Sequence, residues 1–131
     1  MGQKRTLLCV EDDPPSLHLV ERVLARRPQL SLLSARDGSA ALTLARQHLP
    51  DLILLDLHLP GIDGDQVLRE LRADRTTAGI PVVVVTADTS PTTHQRAIDA
   101  GADQLLTKPI DVEHLVLLVE ELMARSREVR G

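Results

Sequence analysis

Glu11-Asp12, Asp56, Thr86 and Lys108 are the side chains of this chain that could act together on a phosphoryl group. Each closes or directly follows a short apolar run. Asp56 ends Leu52-Ile53-Leu54-Leu55 and precedes the turn pair Pro60-Gly61, so it reads as the last residue of a buried strand entering a loop. If these groups converge, two carboxylates about 4 Å apart repel by roughly 4 kcal/mol at an effective dielectric near 20. Three together must shift their pKa values upward or take up a cation. Mg²⁺ suits that demand, because it is hard, prefers oxygen and binds a few carboxylates together with water and phosphate oxygens. Lys108 offers a compact charge that can pair with Asp56 at rest and with a phosphoryl oxygen later, while the Thr86 hydroxyl can donate to another. The set would let Asp56 act as a carboxylate nucleophile toward a phosphoryl group, its charge balanced by metal and lysine.

Taken singly, each part also fits a plainer role. An acidic run before Pro14-Pro15 is an ordinary helix start. Thr86 after a valine run is ordinary strand or turn material, and Lys108 before Pro109 fits a solvated residue held extended. The joint occurrence of all of them, each at a strand end, carries the chemical reading.

The elements that must position these residues follow from the hydrophobic pattern. Thr6 to Val10 reads as a strand, and Asp13 can cap a following helix with prolines in its first turn, where N–H groups lack helical partners anyway. Leu17, Val20, Val23 and Leu24 recur at helical spacing until Pro28. Leu30 to Ala35 reads as a second strand, and Ala41, Leu44 and Ala45 as the inner face of a second helix. Asp51 to Asp56 is the third strand, followed by a helix with Val67, Leu68 and Leu71 inward. Val82 to Val85, four β-branched residues in a row, predicts a strand buried on both faces. Ser90-Pro91 opens a fourth helix with Ala97, Ile98 and Ala100 inward and Gly101 as its stop. Asp103 to Leu106 is a short fifth strand, and Val112, Leu115, Leu118, Val119 and Leu122 share one face of a last helix. Strands alternating with helices imply right-handed crossovers and a doubly wound parallel sheet, an α/β fold that binds ligands at the carboxyl ends of its strands.

Composition narrows the function classes. A chain of 131 residues fits one domain with one core. No apolar stretch approaches the roughly 20 residues needed to span a bilayer, and no signal-peptide pattern opens the chain, so a cytoplasmic protein without membrane insertion is expected. The single Cys9 excludes an internal disulfide and reads as a small core residue. Net charge is -4 with scattered basic residues, and aromatic residues are absent, so there is no stacking platform for single-stranded nucleic acid and no direct nucleic-acid binding is expected. Arg125, Arg127 and Arg130 read as a solvated tail. His18, His48, His94 and His114 fall in separate helical patterns without metal-ligand spacing.

From about Lys4 to Arg125 the chain resembles the receiver domain of bacterial two-component response regulators, leaving residues 126–131 as a C-terminal tail. The resemblance is carried by Val10-Glu11-Asp12-Asp13, the run Leu55 to Gly64, Val85-Thr86-Ala87, Gly101-Ala102 and Lys108-Pro109. It implies a five-stranded flavodoxin-like sheet in the order 2-1-3-4-5 with five helices; a member of this family is itself an illustration of that rule. It further implies that Asp56 is the phosphoacceptor, with Asp12 a direct Mg²⁺ ligand, Glu11 acting through water and the main-chain carbonyl of His58 a further ligand. Thr86, Lys108 and the Ala87 main-chain N–H would contact the phosphoryl group. The implied donor is a phosphohistidine on a sensor histidine kinase or phosphotransfer protein, and the implied output is altered contact with a downstream protein or a phosphorylation-linked dimer. Side chains at the places of His58 and Asp88 flank the route of attacking water in the family, so both are candidates for tuning dephosphorylation, with Asp88 able to pair with His58.

The chain departs from the family at Leu105, where an aromatic ring usually moves inward during switching. A leucine lacks both the ring area and a hydroxyl handle. Ile110 replaces a phenylalanine often found after Lys-Pro, and Asp65 stands where an apolar residue often follows Asp-Gly. A phosphorylation-independent binding module is therefore the alternative, followed by a phosphatase with an Asp nucleophile, in which His58 would hold the place of the second acid. A flavin-binding relative would want a hydroxyl-rich first loop and aromatics, and has neither here. With no output domain expected after Arg125, the chain reads as a stand-alone regulator or a receiver cut from a larger protein.

Overall fold

The computed structural model describes residues 5–130, with side chains as far as residue 124. In chain order the elements are β1 (Arg5–Val10), α1 (Pro14–Ala25), β2 (Leu30–Ala35), α2 (Gly38–His48), β3 (Leu52–Asp56), α3 (Gly64–Ala73), β4 (Val82–Thr86), α4 (Pro91–Ala100), β5 (Gln104–Thr107) and α5 (Val112–Arg130). All ladders are parallel and the strand order is β2-β1-β3-β4-β5, the doubly wound arrangement expected above. Lys4, where the domain was expected to begin, lies outside the described residues, as do the side chains of Arg125, Arg127 and Arg130.

The continuous apolar strands make sense because both faces of the sheet are covered. Alternate residues point to opposite faces. Leu8, Val10, Ile53, Leu55, Val82 and Val84 pack with Ala41, Ala45, Val67, Leu68, Leu71, Ala97 and Ala100 from α2, α3 and α4. Leu7, Cys9, Leu52, Leu54, Val83 and Val85 pack with Val20, Leu24, Leu115, Leu118, Val119 and Leu122 from α1 and α5. Burying each Leu or Val contributes about 1.5–3 kcal/mol, which favours one register for every strand. Cys9 is in this core, and burial, reinforced by the charge of Glu11, pushes its thiol up to about 12.

Caps fix where the helices begin. The Asp13 carboxylate accepts from the Ser16 N–H at 3.2 Å and from its hydroxyl at 2.6 Å, and Asp37 accepts from the Ala40 N–H at 2.8 Å. Ser90 caps α4 by accepting from the Thr93 N–H at 3.3 Å. Gly101 ends α4 with φ 110°, a conformation that favours glycine.

Some inner-face expectations shift by a helical step. Ile98 is 44% exposed, because Ala97 and Ala100 form the inner stripe of α4 and Ile98 is turned about 100° from Ala97. Val112 is 40% exposed, so the buried stripe of α5 starts one turn later at Leu115 and extends to Met123. In α2, Leu42 is buried and Leu44 only half-buried.

Candidate functional site

The carboxyl ends of β1, β3, β4 and β5 form one edge, and the sequence-derived residues meet there. Residue parity and register explain how. Val10 pairs with Leu55, Asp56 with Val85 and Thr86 with Thr107, so each chemical residue emerges one step beyond the apolar ladder. Glu11, Asp56 and Thr86 are buried, at 4%, 4% and 3% exposure, whereas Asp12 is exposed.

The Lys108 ammonium sits between the two buried carboxylates, 2.8 Å from Glu11 Oε1 and 3.1 Å from Asp56 Oδ2. Burial pushes Glu11 up to about 7, and its contact with Asp56 adds to the rise against the opposing pull of Lys108. Burial opposes the Lys108 charge, but Glu11 and Asp56 outweigh it and hold the ammonium above its ordinary value. Two acids and one base are thus packed so that any added cation or phosphoryl group changes the balance of charge at once.

The remaining oxygens are held by the backbone. Asp56 Oδ1 accepts from the His58 N–H at 2.9 Å, and Glu11 Oε2 accepts from the Asp13 N–H at 3.2 Å. Thr86 Oγ1 accepts from the Asp88 N–H at 3.0 Å, which leaves the hydroxyl proton for another acceptor. The Thr86 carbonyl accepts from the Lys108 N–H at 2.9 Å, tying β5's exit to β4. Ala87 is exposed just past the strand end, and Leu105, beside Val84 in the ladder, is half-buried against the α2–α4 side of the core.

Glu11, Asp12 and Asp56 each offer a carboxylate oxygen, all within 4.8 Å of one another. An all-oxygen, acidic donor set of this size fits a hard divalent cation, and a buried acid lifted to about 7 is a group that such a cation would relieve.

His58 and Asp88 are exposed and line a cavity of about 120 Å³ together with Leu57, Asp63, Asp65, Thr93 and Arg96, its Leu57 and His58 directly following Asp56 in the chain. Asp88 feels the charge of His58, while its hydrogen bonds run to α4: Oδ1 accepts from the Ser90 N–H at 2.9 Å and Oδ2 from the Thr93 hydroxyl at 2.6 Å. These bonds, Thr93 first, hold the Asp88 carboxyl below its usual range.

The residue types alone do not reveal Gly64, Thr93 and Arg96 as parts of this edge. A Cβ at Gly64 would lie 2.5 Å from the Asp56 carbonyl oxygen and 2.6 Å from Leu57 Cα, so only glycine lets α3 begin against the end of β3. Asp65, which replaces an expected apolar residue, is buried and takes Arg96 Nη2 at 2.8 Å and Arg69 Nη2 at 3.4 Å. Burial resists its charge, but the two guanidinium groups overcome that and keep its carboxyl below the usual range. The odd acid after Asp63-Gly64 was the available signal; its partner 31 residues later was not.

The family model "Response regulator receiver domain" matches residues 7–120. The chain is 38% identical over 128 residues to the DNA-binding response regulator MtrA of Mycolicibacterium smegmatis, covering 98% of this chain and 55% of that protein. It thus spans about half the length of that curated relative. Among solved structures, a response regulator from Chloroflexus aurantiacus superposes with TM-score 0.87 at 32% identity, covering 93% of this chain and 99% of the other. The receiver domain of a Pseudomonas aeruginosa sensor histidine kinase superposes with TM-score 0.84 at 27% identity, covering 92% and 98%, and holds a magnesium ion in its active-site cleft. With its strand order, its acidic edge and these matches, the chain belongs to the response regulator receiver domains of two-component signalling.

Proposed function

We propose that Asp56 is the phosphoacceptor of this receiver, modified by a phosphohistidine on a sensor histidine kinase or phosphotransfer protein. The carrying observation is the Lys108 ammonium lodged between buried Glu11 and Asp56 at 2.8 and 3.1 Å. In the transfer, an Asp56 carboxylate oxygen bonds to phosphorus as the P–N bond breaks, and the imidazole leaves with the bonding pair. Lys108 follows the charge from carboxylate to phosphoryl oxygen, the Thr86 hydroxyl donates to a second oxygen, and the Ala87 N–H lies at hand for a third. Glu11, Asp12, Asp56 and the His58 carbonyl would hold Mg²⁺. When bound, that cation neutralises the crowded carboxylates and the incoming phosphoryl oxygens. His58 and Asp88 flank the approach of water and tune the hydrolytic loss of phosphate.

The output is a change in protein contacts at the surface of α4, β5 and α5, where Leu105 is the switch position. Phosphorylation-linked dimerisation is one form that output would take. Substitution Asp56→Asn should abolish uptake of label from a phosphohistidine donor, because an amide is not a carboxylate nucleophile. Undiminished labelling of that variant sinks the assignment. His58→Ala should change the lifetime of the phosphoryl group, and equal lifetimes in variant and wild type retire the role given to His58.

A further inference from the structure

The cavity of about 120 Å³ lined by Leu57 and His58, just past Asp56, has room for several waters, and its wall is polar and cross-braced. One brace is the chain of bonds from Thr86 to α4. The Asp88 N–H binds Thr86 Oγ1 at 3.0 Å, while its carboxylate oxygens are each taken, by the Ser90 N–H at 2.9 Å and the Thr93 hydroxyl at 2.6 Å. The other brace is the 2.8 Å ion pair from Arg96 of α4 to buried Asp65 of α3. An Asp88 oxygen released into this cavity would be a general base for water within reach of the phosphoryl group. Both Asp88 oxygens instead already accept a hydrogen bond, from the Ser90 N–H and the Thr93 hydroxyl, which fixes the carboxylate against the start of α4.

We propose that Thr93, with the Asp65–Arg96 pair, forms a positioning set that prolongs the life of the aspartyl phosphate by keeping the Asp88 carboxylate and the cavity wall away from hydrolytic water. The proposal rests on the reading of Asp56 as phosphoacceptor. The restrained reaction is hydrolysis: a water oxygen bonds to phosphorus, the P–O bond to Asp56 breaks, the carboxylate leaves with the bonding pair, and the water's proton passes to solvent as inorganic phosphate departs. Arg96 contributes by tying α4 to α3, so that the cavity keeps its width.

The test labels the full chain with radioactive acetyl phosphate and Mg²⁺, removes the donor, and follows loss of label. Thr93→Val should shorten the lifetime roughly three- to tenfold, a fraction of what a well-placed general base supplies. Thr93→Ser keeps the hydroxyl and should stay within about twofold of wild type, and Arg96→Gln should shorten the lifetime in the same direction as Thr93→Val. In an Asp88→Ala background Thr93→Val should add nothing, because Thr93 acts through Asp88. A Thr93→Val lifetime equal to or longer than wild type overturns the proposal. So do equal losses in the Val and Ser variants, or acceleration that persists without Asp88. Labelling of Asp56→Asn, or no labelling of the wild type, instead overturns the phosphoacceptor reading and the proposal with it.

Discussion

Lys108 and Arg72 are both half-buried cations gathering oxygen acceptors, yet they are built for opposite ends. Lys108 faces two carboxylates at the carboxyl edge of the sheet. Arg72, in the last turn of α3, donates to the Gly101 carbonyl from Nε and Nη2 at 3.1 and 2.8 Å, to the Ala78 and Ile80 carbonyls at 2.9 and 2.6 Å, and to Asp103 at 2.9 Å. Its planar fork is saturated by neutral backbone carbonyls and one acid, so nothing there is left to exchange. Lys108 is a rotatable point charge whose partners are themselves titratable and reactive. The first arrangement fixes backbone segments; the second leaves charge free to follow a reacting group.

The largest effect should come from breaking the saturated cluster. Arg72→Ala strands the carbonyls of Ala78, Ile80 and Gly101 and leaves Asp103 only the Val82 N–H, and should cost about 3 kcal/mol, read as a fall in denaturation midpoint. Arg72→Lys should recover only a minor part, because an ammonium cannot reproduce the fork. A full rescue by lysine would erase the contrast drawn between the two cations.

A second break tests how tightly the reactive edge is packed rather than charged. Gly64→Ala places a methyl 2.5 Å from the Asp56 carbonyl oxygen, and the backbone cannot yield as a side-chain tip would. The expected cost is about 1–3 kcal/mol together with reduced phosphoryl uptake. Normal uptake in a stable Gly64→Ala protein would show that α3 need not lie against the end of β3.

The fold and most of the candidate site were legible because both rest on local pattern. Apolar runs of strand length, Pro and Gly punctuation and Asp13 and Ser90 at helix starts encode elements within a few residues, and the carboxylate, Thr and Lys set follows directly at strand ends. Strand order came from resemblance, since nothing in Leu52 to Leu55 says which strands flank it. What stayed hidden is long-range side-chain geometry. Arg72 reaching Gly101, and Arg96 reaching Asp65, depend on how α3 and α4 lie together, and a lone arginine in a helical pattern looks like any solvated residue. Ile98 was misplaced for a simpler reason: it was read as inward together with Ala97 and Ala100, although a residue next to Ala97 is turned about 100° off that stripe.

A smaller effect separates the reactive cluster from the structural one by its response to metal. Mg²⁺ at about ten times its dissociation constant should stabilise the wild type by roughly 1.4 kcal/mol by mass action. Asp12→Ala should remove most of that gain, while Arg72→Ala, for all its larger cost, should keep it. Thermal melts with and without Mg²⁺ give both numbers. An Arg72→Ala protein that loses the Mg²⁺ response would mean that the two edges of the domain are coupled through the sheet.

The smallest effect concerns Asp65, which stands between the two extremes: a buried acid like Asp56, but paired with guanidinium groups like Asp103. Its folded-state carboxyl is held below the usual range, with burial opposing and Arg96 and Arg69 prevailing. A depressed folded pKa means that the unfolded chain binds the proton more readily. The stabilisation is therefore complete above the ordinary Asp value near about 4 and is lost as pH falls through the folded value. Because Arg96 is 57% exposed, solvent screens the pair, and its share should be under about 1 kcal/mol. Arg96→Gln should shrink the stability difference between about pH 6 and pH 3 by that amount, and salt near 1 M should shrink it further in the wild type. If Arg96→Gln leaves the acid limb of the stability curve unchanged, Arg69 alone neutralises Asp65, and α4 is not tied to α3 by charge.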